Sequence, residues 1–126
     1  MFWKIAKALG GFTATSYMKD VVIKPNRVAQ LARNYANRVA KPLLNIGAGT
    51  PGSSLRVVLF GPTLWGDVNI DIAAPKSIPH GPKQVSWGDA HDLSEWPDKF
   101  FGAIIASHVL EHVERPDIAL EEWHRV

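Results

Sequence analysis

The sequence predicts an α/β fold: a mostly parallel sheet with helices on its faces. Three observations predict it. Short apolar runs suited to buried strands recur at 43–46, 67–72, 84–87 and 100–107. Stretches with apolar residues three and four positions apart lie at 27–40 and 116–126. A glycine-rich loop follows the first apolar run directly, reading Leu-Leu-Asn-Ile-Gly-Ala-Gly-Thr-Pro-Gly over 43–52. Strand patterns alternating with helix patterns are the mark of parallel βαβ units.

Each element has its own local reason. Residues 1–12 carry apolar side chains at helical spacing with Lys4 and Lys7, and Gly10-Gly11 would end that helix. Pro25 and Asn26 start a second helix. From Arg27 to Ala40 its apolar stripe is Val28, Leu31, Ala32, Tyr35 and Val39. Lys41-Pro42 stops it, because the residue before a proline is pushed out of the helical region. Leu43–Ile46 reads as a buried strand. Ser53–Phe60 is apolar without clear period and reads as a short helix closed by Gly61-Pro62. Asp67–Ile72 is a second strand, 73–84 a proline-rich loop, and Gln84–Trp87 a third strand. Ser94–Lys99 is a polar connection of about one turn. Phe100–Ser107 is apolar enough for burial on both faces. Pro116–Val126 is a helix with a stripe of Ile118, Leu120 and Trp123.

Composition narrows the function classes. The 126 residues suffice for one small domain with a core. There is no cysteine, which excludes disulfides and thiolate metal sites. No apolar run reaches the roughly 18 residues of a membrane span. Residues 1–12 lack the cleavage pattern of a secretory signal. Together these point to a cytoplasmic protein. The net charge of +2 hides an asymmetry. Residues 1–41 hold eight basic residues and one acid, Asp20, for a net +7; residues 42–126 hold six basic residues and eleven acids, for a net −5. The sequence therefore divides into a basic helical arm, 1–41, and an acidic α/β part, 42–126. A basic arm either rests on the acidic part or meets nucleic acid, an anionic surface or an acidic partner.

Chemistry-bearing residues fall at successive strand ends, where ligands sit in parallel sheets. Gly47 and Gly49 follow the first strand and permit a close backbone approach. With Gly52 they satisfy Gly-x-Gly-x-x-Gly, the dinucleotide fingerprint. Asp71 ends the second strand, 22 positions after Gly49, where a carboxylate can accept both hydroxyl hydrogens of a ribose. Gly88-Asp89-Ala90 follows the third strand and places an acid within reach of an exocyclic amine. Ser107-His108 ends the fourth.

With these pieces in order, residues 42–126 resemble the first half of a class I S-adenosylmethionine-dependent methyltransferase of the type 11 group, a Rossmann-like fold. The resemblance rests on Leu-Asn-Ile-Gly-Ala-Gly-Thr at 44–50, Val-Asn-Ile-Asp-Ile at 68–72, Gly-Asp-Ala-His-Asp-Leu at 88–93 and Phe-Gly-Ala-Ile-Ile-Ala-Ser-His-Val-Leu-Glu-His-Val at 101–113. It implies S-adenosylmethionine as cofactor. Asn45, Gly47 and Gly49 would lie by its methionine part, Asp71 would hold the ribose, and Ile72 would be a further cofactor contact. Asp89 and Ala90 would meet the adenine, and Ser107 and His108 would line the wall near the methyl group. No catalytic side chain is singled out: the sulfonium is already an activated donor, so alignment and water exclusion do most of the work.

The pattern departs from the family in three places. Asn45 stands where an acid is usual, and Gly102 where an Asp is usual. The family also continues through a Leu-x-Pro-Gly-Gly turn into further strands. The sequence therefore reads as a truncated domain, whose open apolar sheet edge is expected to be covered by the arm or by another chain in a homo- or hetero-oligomer. The methyl acceptor is either a small molecule or a macromolecule, nucleic acid included. Rival readings are a non-catalytic methyltransferase-like binding or structural subunit and an NAD-binding Rossmann domain. A third draws on His108-Val-Leu-Glu111-His112, which spells the inverted zinc-peptidase motif and makes His108, Glu111 and His112 candidate metal ligands.

Overall fold

The computed structural model describes residues 27–49 and 66–126. The helix expected within 1–12 and the short helix expected over Ser53–Phe60 lie outside the described residues. Elements run α1 (Arg27–Arg38), β1 (Leu43–Ile46), β2 (Val68–Asp71), β3 (Ser86–Trp87), β4 (Ala103–Ile105), a 3-10 turn (Leu110–His112) and α2 (Pro116–Arg125). The four strands form one sheet, ordered β3-β2-β1-β4, and every pairing is parallel. Leu44, Asn45 and Ile46 stand opposite Val68, Asn69 and Ile70, while Leu43, Leu44 and Asn45 stand opposite Ala103, Ile104 and Ile105. The chain leaves β1 toward β2 on one side and returns to β4 on the other. That reversal opens a crevice at the carboxyl ends of the strands.

Both faces of the sheet are covered, as a parallel sheet requires. One carries the larger core: Leu44, Ile46, Ile70, Leu93, Trp96, Phe101 and Val126. The other packs Leu43 and Ile105 against Ala29 and Ala36 of α1. All four β1 residues are buried, so its alternate side chains serve both faces. Asn45 and Asn69 are buried side by side and satisfy each other: Nδ2 of Asn45 donates to Oδ1 of Asn69 at 3.2 Å. Asn69 also accepts the Gly66 amide and donates to the Gly66 carbonyl, closing the approach to β2.

Helix α1 forms where its period predicts, but a different face meets the sheet. Ala29 and Ala36 are fully buried, whereas Val28 and Leu31 stay 74% and 67% exposed. The small side chains admit close approach: a Cβ on Gly102 would come within 2.9 Å of the Ala36 Cα. The helix ends at Arg38, with Ala40 at φ +55 and the Lys41 amide donating to the Ala36 carbonyl. That is the left-handed closing turn usually made by glycine. Helix α2 likewise buries Ala119 rather than Ile118 or Leu120.

β1 matches its apolar run, and the other three strands are shorter than theirs. β4 holds three residues of the eight in Phe100–Ser107. The Phe101 amide donates to the Val126 carbonyl, and the Gly102 amide to the Pro42 carbonyl. Phe100 and Phe101 stack edge-on and join Trp96 in an aromatic cluster. Among the described residues β4 pairs only with β1. Helix α1 covers a face of β4, and a groove of about 680 Å³ bordered by Tyr35, Ile104 and Leu120 runs between the two helices beside it.

Candidate functional site

A cleft of about 470 Å³ opens at the carboxyl ends of β1, β2, β3 and β4. Gly47, Asp71, Ile72, Asp89, Ala90 and His108 line it, together with His91, Val109, His112 and Glu114. Six residues expected from four separate strand ends thus line one cleft. Gly49 stands at its edge, bonded to Asp71. Asn45 and Ser107 are not part of the lining; the Asn45 amide is spent on Asn69 inside the sheet.

The first wall is the turn after β1. Gly47 and Gly49 adopt φ of +67 and +84, which side chains disfavour. The Ala48 amide donates to the Ile70 carbonyl at 3.0 Å, continuing the β1–β2 ladder into the turn. A Cβ on Gly47 would overlap Cγ2 of Val109, so the turn and the segment after β4 touch at this glycine.

Asp71 is the hinge between this turn and the next. Its Oδ2 accepts the Gly49 amide at 3.0 Å and its Oδ1 the Ala73 amide at 2.9 Å. Each carboxylate oxygen keeps a second acceptor site, enough for two ribose hydroxyls.

The third wall is 88–91. A Cβ on Gly88 would lie 2.7 Å from the Ile70 Cβ, so only glycine lets this segment cross β2. Oδ1 of Asp89 accepts both the amide and Nδ1 of His91, at 2.9 and 2.8 Å. The His91 amide, opposed by partial burial and then aided by the imidazole, holds the Asp89 carboxyl below its ordinary range. The Ala90 carbonyl accepts the indole N–H of Trp123 at 2.9 Å. Helix α2 also reaches this loop through Glu122, whose Oε2 accepts the Leu93 amide, and through Arg125, which donates to the Leu93 and Trp96 carbonyls.

The segment after β4 closes the cleft. His108 is left-handed at φ +56, an uncommon state for a side-chain-bearing residue. Its Nδ1 meets Oε1 of Glu111 at 3.2 Å. Leu110–His112 is a single 3-10 turn, so His108 and His112 do not share the α-helical face that the inverted zinc motif needs. Among the described residues no three His, Asp or Glu are grouped to hold a metal.

The model of the family described as a methyltransferase domain matches residues 44–126, two thirds of the chain. The chain belongs to the methyltransferase domain family. No curated protein and no solved structure matches it. The parallel sheet with flanking helices agrees with the α/β fold of such a domain. No helix among the described residues is long and apolar enough to cross a membrane.

Two groups that shape this cleft were not among the candidate residues of the sequence. His91 directly follows the Asp89-Ala90 pair, which was the available signal. Trp123 had none, since its partner Ala90 lies 33 residues earlier.

Proposed function

We propose that the cleft binds S-adenosylmethionine and that the protein transfers its methyl group to an acceptor arriving at the His108 side. The observation that carries this reading is the convergence of Asp71 and Asp89, with the left-handed Gly47 turn, on one cleft. Its volume falls within the range of small-molecule sites, about 300–1,000 Å³.

The residues present fit such a ligand. Asp71 has acceptor capacity for two vicinal hydroxyls after its two backbone bonds. Oδ2 of Asp89 has no donor among the described residues and suits an exocyclic amine. Exposed Ile72 and half-buried Ala90 offer apolar contact beside those carboxylates. Gly47 and Gly49 would pass along the methionine part, and Asn45 supports that turn from within the sheet. Ser107 directly precedes His108, which lines the cleft. When bound, the sulfonium supplies an activated methyl group. The chain's part is to orient the donor and exclude water around it, a proximity effect that needs no protein nucleophile.

A second reading, a module that binds the cofactor without turnover, draws on Asn45. Its amide is neutral and already bonded to Asn69, so it offers no charge to an ammonium group. Calorimetric titration with S-adenosylmethionine tests binding, and methyl transfer to a panel of small molecules and nucleic acids tests turnover. Binding abolished or weakened on the order of tenfold or more by Asp71→Ala is the expected result. Binding of NAD and not of S-adenosylmethionine would overturn the proposal; binding with no transfer to any acceptor would favour the second reading.

A further inference from the structure

We propose that His91 is a positioning residue that presents Oδ2 of Asp89 to the exocyclic amine of the adenine ring; this rests on the cleft being an S-adenosylmethionine site. His91 bridges two segments. Its Nδ1 lies 2.8 Å from Oδ1 of Asp89, and its Nε2 accepts the Arg115 amide at 3.1 Å. An amide N–H can only donate, so Nε2 carries the lone pair and the hydrogen of a neutral ring sits on Nδ1. The ring therefore donates to Asp89 and is anchored by the residue that opens α2. The His91 backbone amide donates to the same Oδ1 at 2.9 Å.

Two donors on one oxygen fix the carboxylate plane about its last torsion. Such a terminal torsion is otherwise broad. Oδ2 is then the oxygen that remains, with no donor among the described residues, and Asp89 and His91 both line the cleft. The intervening Ala90 is held separately by Trp123, so the peptide between the two side chains cannot swing to compensate. Purine recognition would thus reach through Asp89 to His91 and on to the start of α2.

Two substitutions separate the two ends of the imidazole. His91→Asn keeps a donor at the position of Nδ1 and loses the reach to Arg115. His91→Gln keeps an acceptor for Arg115 and loses the donor to Asp89. Each variant is titrated with S-adenosylhomocysteine and with S-inosylhomocysteine, which carries an oxo group in place of the exocyclic amine. The ratio of the two dissociation constants is the readout. It is insensitive to how much of a variant is folded, because both ligands sample the same folded pool.

The wild type is expected to prefer the adenosyl ligand by on the order of ten- to a hundredfold, the range of a hydrogen bond to a charged group. His91→Asn should keep most of that preference. His91→Gln should reduce it to within about threefold, as should the control Asp89→Ala. Equal ratios in His91→Gln and wild type would overturn the inference, even if both affinities fell, since that is what a purely structural histidine does. A wild type that binds neither ligand would bring down the cofactor reading itself, and the inference with it.

Discussion

The Gly49 amide donates to Oδ2 of Asp71 at 3.0 Å, joining the glycine turn after β1 to the end of β2 across 22 residues of sequence. The same carboxylate takes the Ala73 amide on its other oxygen. One side chain therefore holds both turns that border the cleft, and the same side chain lines it.

Asp71→Ala should cost about 1–3 kcal/mol of stability, because two backbone amides lose their acceptor at a half-buried site. Asp71→Asn keeps an acceptor for one of them and should cost less than the alanine variant. Urea unfolding of the three proteins checks the order. An alanine variant as stable as the wild type would show that Asp71 does not brace the two turns.

Gly47→Ala meets two separate penalties. The backbone at φ +67 strains a side-chain-bearing residue by roughly 1 kcal/mol. The new methyl also overlaps Val109, an overpacking cost of about 1–3 kcal/mol. Val109→Ala should relieve only the second. A double-mutant cycle is expected to show a favourable coupling of about 0.5 kcal/mol or more. Strict additivity would mean that the turn and the post-β4 segment do not press on each other.

Trp123→Phe keeps most of the indole's bulk and removes the N–H donated to the Ala90 carbonyl. About 1 kcal/mol of stability should be lost. Amide hydrogen exchange should accelerate over 89–93, while amides within α2 change little. Uniform acceleration through α2 would instead place the indole's role in helix packing.

Glu122 makes stability depend on pH. The Arg125 side chain and then the Leu93 amide hold its carboxyl below the ordinary glutamate range. With the folded-state value depressed, the ionised form favours the fold. That contribution is complete above the unfolded value, about 4.3, and disappears as pH falls through the folded value. Glu122→Gln should therefore lower stability by about 1 kcal/mol near neutrality and not at strongly acid pH. Melting temperatures of the two proteins across pH 2–7 should converge at the acid end; a constant gap would contradict the assignment.

Local pattern was enough for the element types and for the residues that sit at strand ends. A carboxylate at the end of a parallel strand must lie near the crevice, because the backbone period and the parallel connection put it there. For that reason Gly47, Asp71, Asp89 and His108 were legible as candidates, and the glycines announced turns that only they adopt cheaply. The bounds of β1 were legible, and the lengths of the other three strands were not. Phe100 to Gly102 is as apolar as β4, and only Val126 and Pro42, distant in sequence, claim its amides.

By itself, then, the sequence determined the α/β class, the order of the described helices and strands and the strand-end candidates, because those follow from period and from turn chemistry. Only the tertiary structure decided which faces are buried and which polar groups meet. The alanine side of α1 won over the Val28–Leu31 stripe because close packing on the sheet favours small residues there. Asn45 turned to Asn69 because a buried amide must find a partner. Trp123 came to brace the 88–91 loop, and His91 to meet the Arg115 amide, because α2 packs beside that loop, a contact between segments that no local pattern encodes.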